Sequence, residues 1–191
     1  GSIDAWLAAE GGKHGKRVSF FEEDTAHTAI QLGKNNIVGQ RFEIKEPFYA
    51  IVVPCPTWSS KGSALTMTLY QWQGSYDATV KSTPMSSKRF TNIVDNGELM
   101  LVNDTKFAAG DYLWTFSNAE GTPGIWFSNI ALKEDNNYWN SEKMEQKGAI
   151  EAACLLEPST GILFWDKVAY RRSTDGGKTW TAPEEISESI Y

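Results

Sequence analysis

Residues 39–80 read GQRFEIKEPFYAIVVPCPTWSSKGSALTMTLYQWQGSYDATV, and the spacing of their apolar side chains decides the fold class. Around Phe42 and Ile44 the charged Arg41 and Glu43 alternate with apolar neighbours, a period of two and not 3.6. Residues 48–53 (FYAIVV) are apolar on both faces, as a strand between packed layers would be. Leu65, Met67 and Leu69 point one way, while Thr66, Thr68, Tyr70 and Trp72 point the other. Between the last two runs, Pro54, Pro56, Ser59, Ser60 and Gly62 cannot continue a ladder, so they form a loop with Trp58 at its tip.

Working outward, the flanks give more short segments. Residues 4–10 (DAWLAAE) suggest a helical turn, ended by glycines at 11, 12 and 15. Residues 18–21 and 29–32 are strand candidates, and Gly74 turns the chain into another at 78–80. Residues 82–88 read as a polar loop. Asp95-Asn96-Gly97 is a tight-turn signal, followed by a strand over 98–102 and a second turn at Asn103-Asp104. Tyr112, Trp114 and Phe116 share one face of a further strand, and 125–130 is another. Residues 133–147 lack a two-residue period and read as a long loop with one helical turn near 142–146. Strands at 149–156, 161–165 and 168–172 close the chain. Roughly ten short strands with little helix predict an all-β fold, an antiparallel β-sandwich of jelly-roll type. The expected organisation is an N-terminal segment over 1–17 and one sandwich domain over 18–191, with a hairpin at about 168–186.

Composition narrows the function. The net charge of −6 and the absence of a Lys/Arg cluster argue against nucleic acid, whose binding depends on neutralised phosphates. No apolar run reaches membrane-spanning length. Gly1 and Ser2 look like an expression remnant, which leaves room for a targeting segment removed before expression. The cysteines, Cys55 and Cys154, leave two readings open, one disulfide or two buried thiols.

Eight tryptophans are more than a core of this size needs, so some are expected at the surface, where a flat ring with a polar edge serves recognition. Trp114, Trp126 and Trp165 lie in apolar runs and read as core. Trp58, Trp72 and the pair Tyr138-Trp139 each combine a ring with polar neighbours, the last beside Asn136, Asn137 and Asn140. Such rings stack on the C–H face of a pyranose while amides and carboxylates bond its hydroxyls. Trp58, Trp72, Tyr138, Trp139 and Asn136 are therefore the candidate carbohydrate-binding residues. Catalytic signals are thin. Glu46, Asp77, Asp95, Asp111, Glu151 and Asp166 sit in no motif that pairs an acid with a base. His14 and His27 lack ligand spacing and a neighbouring carboxylate, which argues against zinc or triad chemistry.

One motif is sharp. Ser173-Thr174-Asp175-Gly176-Gly177-Lys178-Thr179-Trp180 resembles, position for position, the Asp-box hairpin of sialidases and related repeat proteins. The resemblance implies a structural hairpin carried by Ser173, Asp175, Gly177, Thr179 and Trp180, away from any catalytic pocket. A sialidase would carry several boxes and dispersed arginines; here one box stands beside Arg171-Arg172. Residues 38–127 in turn resemble the carbohydrate-associated jelly-roll modules of bacterial glycan-degrading enzymes, in GQRFEI, SALTMTLYQW, FTNIVDNGELML, AAGDYLWTFS and GIWFS, in that order. That resemblance implies a non-catalytic glycan-binding module, extracellular, cell-surface or periplasmic, belonging to a larger multidomain chain. It also implies a structural calcium ion, for which Glu22, Glu23, Asp24 and Asp95 offer oxygens. The alternatives are a glycoside hydrolase or sialidase-like fragment, and a structural or protein-docking domain whose aromatics form a partner patch.

Overall fold

The computed structural model describes residues 16–23, 26–132 and 136–157, the side chain of residue 104 excepted, together with Lys178, Thr179 and Thr181. Of residues 3–6, 167–173 and 184–188 it describes the backbone. The chain divides into two compact units, residues 17–156 and residues 1–16 with 157–191. In chain order, β1 (Ile3–Trp6) is followed by β2 (Arg17–Ser19), β3 (His27–Gln31), β4 (Val38–Ile44), β5 (Phe48–Cys55) and β6 (Ala64–Gln71). Helix α1 (Tyr76–Val80) precedes β7 (Ser86–Phe90), β8 (Gly97–Phe107), β9 (Gly110–Glu120) and β10 (Gly124–Ser128). Short strands follow: β11 (Asn137–Trp139), β12 (Glu142–Lys143), β13 (Ala149–Ile150) and β14 (Ala153–Leu155), then β15 (Lys167–Ser173) and β16 (Glu184–Glu188).

The larger unit is an antiparallel β sandwich. One layer is a six-stranded sheet in the order β12-β11-β4-β9-β6-β7. Across it, a four-stranded sheet β2-β14-β5-β8 runs into a three-stranded sheet β13-β10-β3. Backbone bonds from Phe20 N–H to the Ala152 carbonyl and from Glu151 N–H to the Trp126 carbonyl connect them. The two-residue period predicted for 39–80 is what fills the space between. Phe42, Ile44, Leu65, Met67, Leu69, Trp114 and Phe116 face Phe48, Ile51, Val53, Leu101 and Phe127 in one buried cluster. β5 is apolar on its other face too, where Ala50 and Val52 join Leu155.

In the smaller unit β15 pairs antiparallel with both β1 and β16. Ser173 ends β15 and Thr179 is exposed, whereas Asp175, Gly177 and Trp180 lie outside the described residues, as do Trp165, His14 and Asp24.

Several local expectations give way to tertiary pairing. Residues 3–6 are not helical but form β1, because the edge of β15 supplies hydrogen bonds that seven residues of helix pattern cannot outweigh. Residues 76–80 are α1 and not a strand: Ser75 caps it, its Oγ accepting from Ala78 N–H at 3.2 Å. The polar segment 86–90 is β7, the edge strand beside β6, where Lys88 and Arg89 suit an exposed edge. Asn103-Asp104 does not end its strand; the extra residues are absorbed where the β5–β8 register shifts between Phe48 and Ala50. Residues 137–143 are a small hairpin and not a loop, its turn made by Asn140 and Ser141 at φ 47° and 72°.

Both cysteines are buried and neither is in a disulfide. Cys154 pairs with Ile51, four residues along β5 from Cys55. At about 3.3 Å per residue that is roughly 13 Å, beyond the reach of a disulfide. Burial pushes the Cys55 thiol up to about 11.

Candidate functional site

The outer face of the six-stranded sheet carries a group of three rings, Trp72, Tyr138 and Tyr76. Its geometry starts with Asn137, which is buried on β11. Asn137 Oδ1 accepts from Gln40 Nε2 and Ile150 N–H, and Nδ2 donates to the Gly148 carbonyl. Gln40 Oε1 in turn accepts from the indole of the fully buried Trp114. This network fixes which way β11 faces. Side chains alternate along a strand, so Asn137 and Trp139 turn inward and Tyr138 outward. Trp139 accordingly packs against the main core. Tyr138 sits opposite Gly39 on β4, where a Cβ would lie 2.7 Å from the Trp114 carbonyl oxygen.

Trp72 follows β6, and its N–H donates to the Asp111 carbonyl at 2.9 Å. Its ring centroid is 6.3 Å from that of Tyr138, and Tyr138 is 4.9 Å from Tyr76, which α1 lays down almost fully buried. The Arg41 guanidinium lies over the Trp72 ring, 4.7 Å from its centroid. It also holds Asp111 bidentately, Nε to Oδ1 at 3.1 Å and a terminal nitrogen to Oδ2 at 2.6 Å. Both partners of that pair are about one-third exposed, so water and solutes reach it. Burial raises the phenols of Tyr70, Tyr76 and Tyr138 above the ordinary tyrosine range; Thr68 opposes this at Tyr70 and Arg41 at Tyr138. All three therefore remain neutral donors through the physiological range.

Of the predicted residues, the structure brings Trp72 and Tyr138 together and separates the others. Asn136 stands next to them through its backbone, its carbonyl accepting from Arg41 N–H. Trp58 precedes β6 whereas Trp72 follows it; eight residues at about 3.3 Å each put them roughly 25 Å apart. Trp58 is 48% exposed in a turn closed by Ser60 N–H on the Thr57 carbonyl. The expectation that Trp126 is core needs correcting. It is half-buried on β10 and stacked on His27, with centroids 4.2 Å apart. His27 does have a carboxylate neighbour, Glu151, with Nδ1 and Oε1 2.7 Å apart across 124 positions of sequence.

Arg41, Tyr70, Tyr76 and Asp111 are site residues that the sequence does not single out. Tyr76 was announced by the helix start Ser75-Tyr76-Asp77, a cap with an acid in the first turn. Asp111 read as a turn residue, because only the β4–β9 register brings it beside Arg41. Among the described residues no three of His, Cys, Asp and Glu are grouped to hold a metal ion, and Asp24 lies outside those residues. Asp95 accepts from Thr57 N–H at 2.6 Å and Ser59 Oγ at 3.3 Å.

Compared with protein-family models and with curated proteins, the chain matches none. The functional reading therefore rests on the geometry of these side chains.

Proposed function

We propose that residues 17–156 bind carbohydrate without transforming it, as a recognition module of an extracellular or surface glycan-degrading system. The observation that carries this reading is the pairing of Trp72 and Tyr138 on an open sheet face with the bidentate Arg41–Asp111 pair against them. A pyranose presents an apolar C–H face and a rim of hydroxyls. The rings take the first, and the guanidinium, the carboxylate and the neutral phenols of Tyr138 and Tyr70 bond the second. Rings already locked against each other lose little freedom when the sugar arrives, which favours binding.

Binding is preferred to hydrolysis for a local reason. Glu43 and Asp111 oppose each other across β4 and β9, an arrangement near the rings that suggests paired carboxylates. Asp111 has both oxygens on Arg41, which commits it to the ion pair and not to proton transfer.

The test is calorimetric titration with neutral and acidic oligosaccharides chosen from a glycan array. Trp72→Ala and Tyr138→Ala should each weaken binding tenfold or more, roughly the worth of one aromatic contact. An array on which the intact protein retains no glycan would overturn the proposal.

A further inference from the structure

The turn Asp95-Asn96 bonds to Trp126 and to the residues on either side of Trp58, two tryptophans that the sequence places far apart. Asp95 accepts from the backbone N–H of Thr57 at 2.6 Å and from the hydroxyls of Thr57 and Ser59 at 3.3 Å, and so grips the turn that carries Trp58. Its neighbour Asn96 accepts from the Trp126 indole N–H at 2.9 Å. The turn it grips is an unusual one. Trp58 and Ser59 both have left-handed backbones, at φ 49° and 59°, which a bulky residue rarely adopts. The six-membered ring of Trp58 is seated where Gly124 has no side chain: a Cβ at that position would come 2.9 Å from its Cη2.

Gly124 and Trp126 are two residues apart on β10, so both present the same, outer face. Ile125 and Phe127 between and beyond them are fully buried on the inner one. The two indoles therefore lie on one sheet face, spaced by about 6.6 Å of strand. Trp58 is half exposed, and Trp126 is steadied by the His27 ring and the His27–Glu151 bond. Beside the Trp58 turn opens a pocket of about 460 Å³ whose walls combine the polar Ser59, Lys61, Asn92 and Asp95 with the apolar Ile93 and Val94.

We propose that Trp58 and Trp126 form a second carbohydrate-binding platform, on the layer opposite Trp72, and that it takes an uncharged sugar. Polar side chains interleaved with the rings distinguish it from an apolar protein-docking patch, since each ring is within reach of a hydroxyl, an amide or an imidazole. Asp95 and Glu151 place carboxyl oxygens in the row that accept hydrogen bonds from neutral hydroxyls and disfavour uronic or sialic acids, with Lys61 in the pocket wall as the opposing charge. This inference rests on the glycan-binding reading above.

The experiment follows the indole N–H signals of the intact chain by NMR, with indole nitrogens labelled. The probes are cellohexaose, xylohexaose, mannohexaose, chitohexaose and an oligogalacturonate. With a neutral oligosaccharide, the Trp58 and Trp126 signals should shift saturably, independently of Trp72, and titration should give two sites per chain. Trp58→Asn keeps a residue that tolerates the left-handed turn but removes the ring. It should reduce the stoichiometry to one and weaken the second site tenfold or more, while Trp58→Tyr retains it. The inference is overturned if Trp72 responds to a sugar while Trp58 and Trp126 stay fixed and Trp58→Asn binds as the parent does; the first site then stands alone. A response at Trp58 and Trp126 without one at Trp72 supports the second platform and removes the first. No response at any indole removes both. Tighter binding of the oligogalacturonate at Trp58 overturns the assignment to uncharged sugars.

Discussion

On the six-stranded sheet, Trp72, Tyr138 and Tyr76 lean on one another under Arg41; on the face of β10, Trp58 and Trp126 are each held separately by one turn. The first group is packed much as a core is, with Tyr76 only 9% exposed and supported by a capped helix. In the second, the ring with most solvent contact sits on a strained backbone. Removing a ring from the first group should therefore cost stability and recognition together. Removing Trp58 should separate the two. A packed ring is maintained by the fold whatever its use, whereas an exposed ring on a left-handed turn contributes little to the fold, which makes recognition the simpler account of it.

The largest test of that contrast is Tyr76→Ala. Truncating a nearly buried aromatic at a contact between helix and sheet should cost about 3 kcal/mol, read as a lower denaturant midpoint at unchanged slope. Sugar binding at Trp72 should weaken as well, because Tyr138 loses the ring that positions it. Should Tyr76→Ala be as stable as the parent, the two faces would not differ in the way described. Arg41→Met comes next. It removes the cation from Trp72 and leaves Asp111 unpaired, but both groups of the pair are one-third exposed and screened by water. The expected loss is about 1 kcal/mol of stability, with a clear fall in affinity at this face and none at Trp58.

How much of this was legible depended on the range of the contacts. The alternation of Phe42 and Ile44 with Arg41 and Glu43, and of Leu65, Met67 and Leu69 with threonines, is local, so both the sandwich and its inner face could be read directly. Arg41 could be placed on the outer face for the same reason. What it meets there could not, because Asp111 and Trp72 reach it only through the β4–β9–β6 register. Tyr138 and Trp139 read alike as rings in a polar loop; Asn137, bonded to Gln40, Gly148 and Ile150, is what turns them to opposite sides. Trp126 misled for the opposite reason. GIWFS is apolar up to Ser128, and the stack with His27 shows that its central ring faces out.

A smaller effect separates the faces by pH. Burial holds the phenols of Tyr70, Tyr76 and Tyr138 above their usual range, so the unfolded chain releases these protons first. Their contribution is complete below about pH 10, the unfolded value, and is lost as pH rises from there through the folded-state values. Denaturation followed over that window should show a declining midpoint, and Tyr76→Phe should flatten the decline. Mutations at Trp58 should leave its slope unaltered, since no phenol in this group touches that turn.

Trp58 occupies a left-handed backbone that glycine adopts without steric cost, and nearly half of its surface is in water. Trp58→Gly relieves that strain but gives up the contact of the ring with the seat at Gly124 and adds freedom to the unfolded chain. Strain at a single left-handed residue is worth about 1–3 kcal/mol, and the opposing terms about 1 kcal/mol together. The variant should thus be as stable as the parent or more stable by up to about 2 kcal/mol, while losing sugar binding at this face. A loss of more than about 1 kcal/mol would show the ring to be a structural brace, because truncations that large come from buried packing. Equal stability with undiminished binding would remove any role for it in recognition. Only stability kept and binding lost fits a ring held in place against the preference of its own backbone.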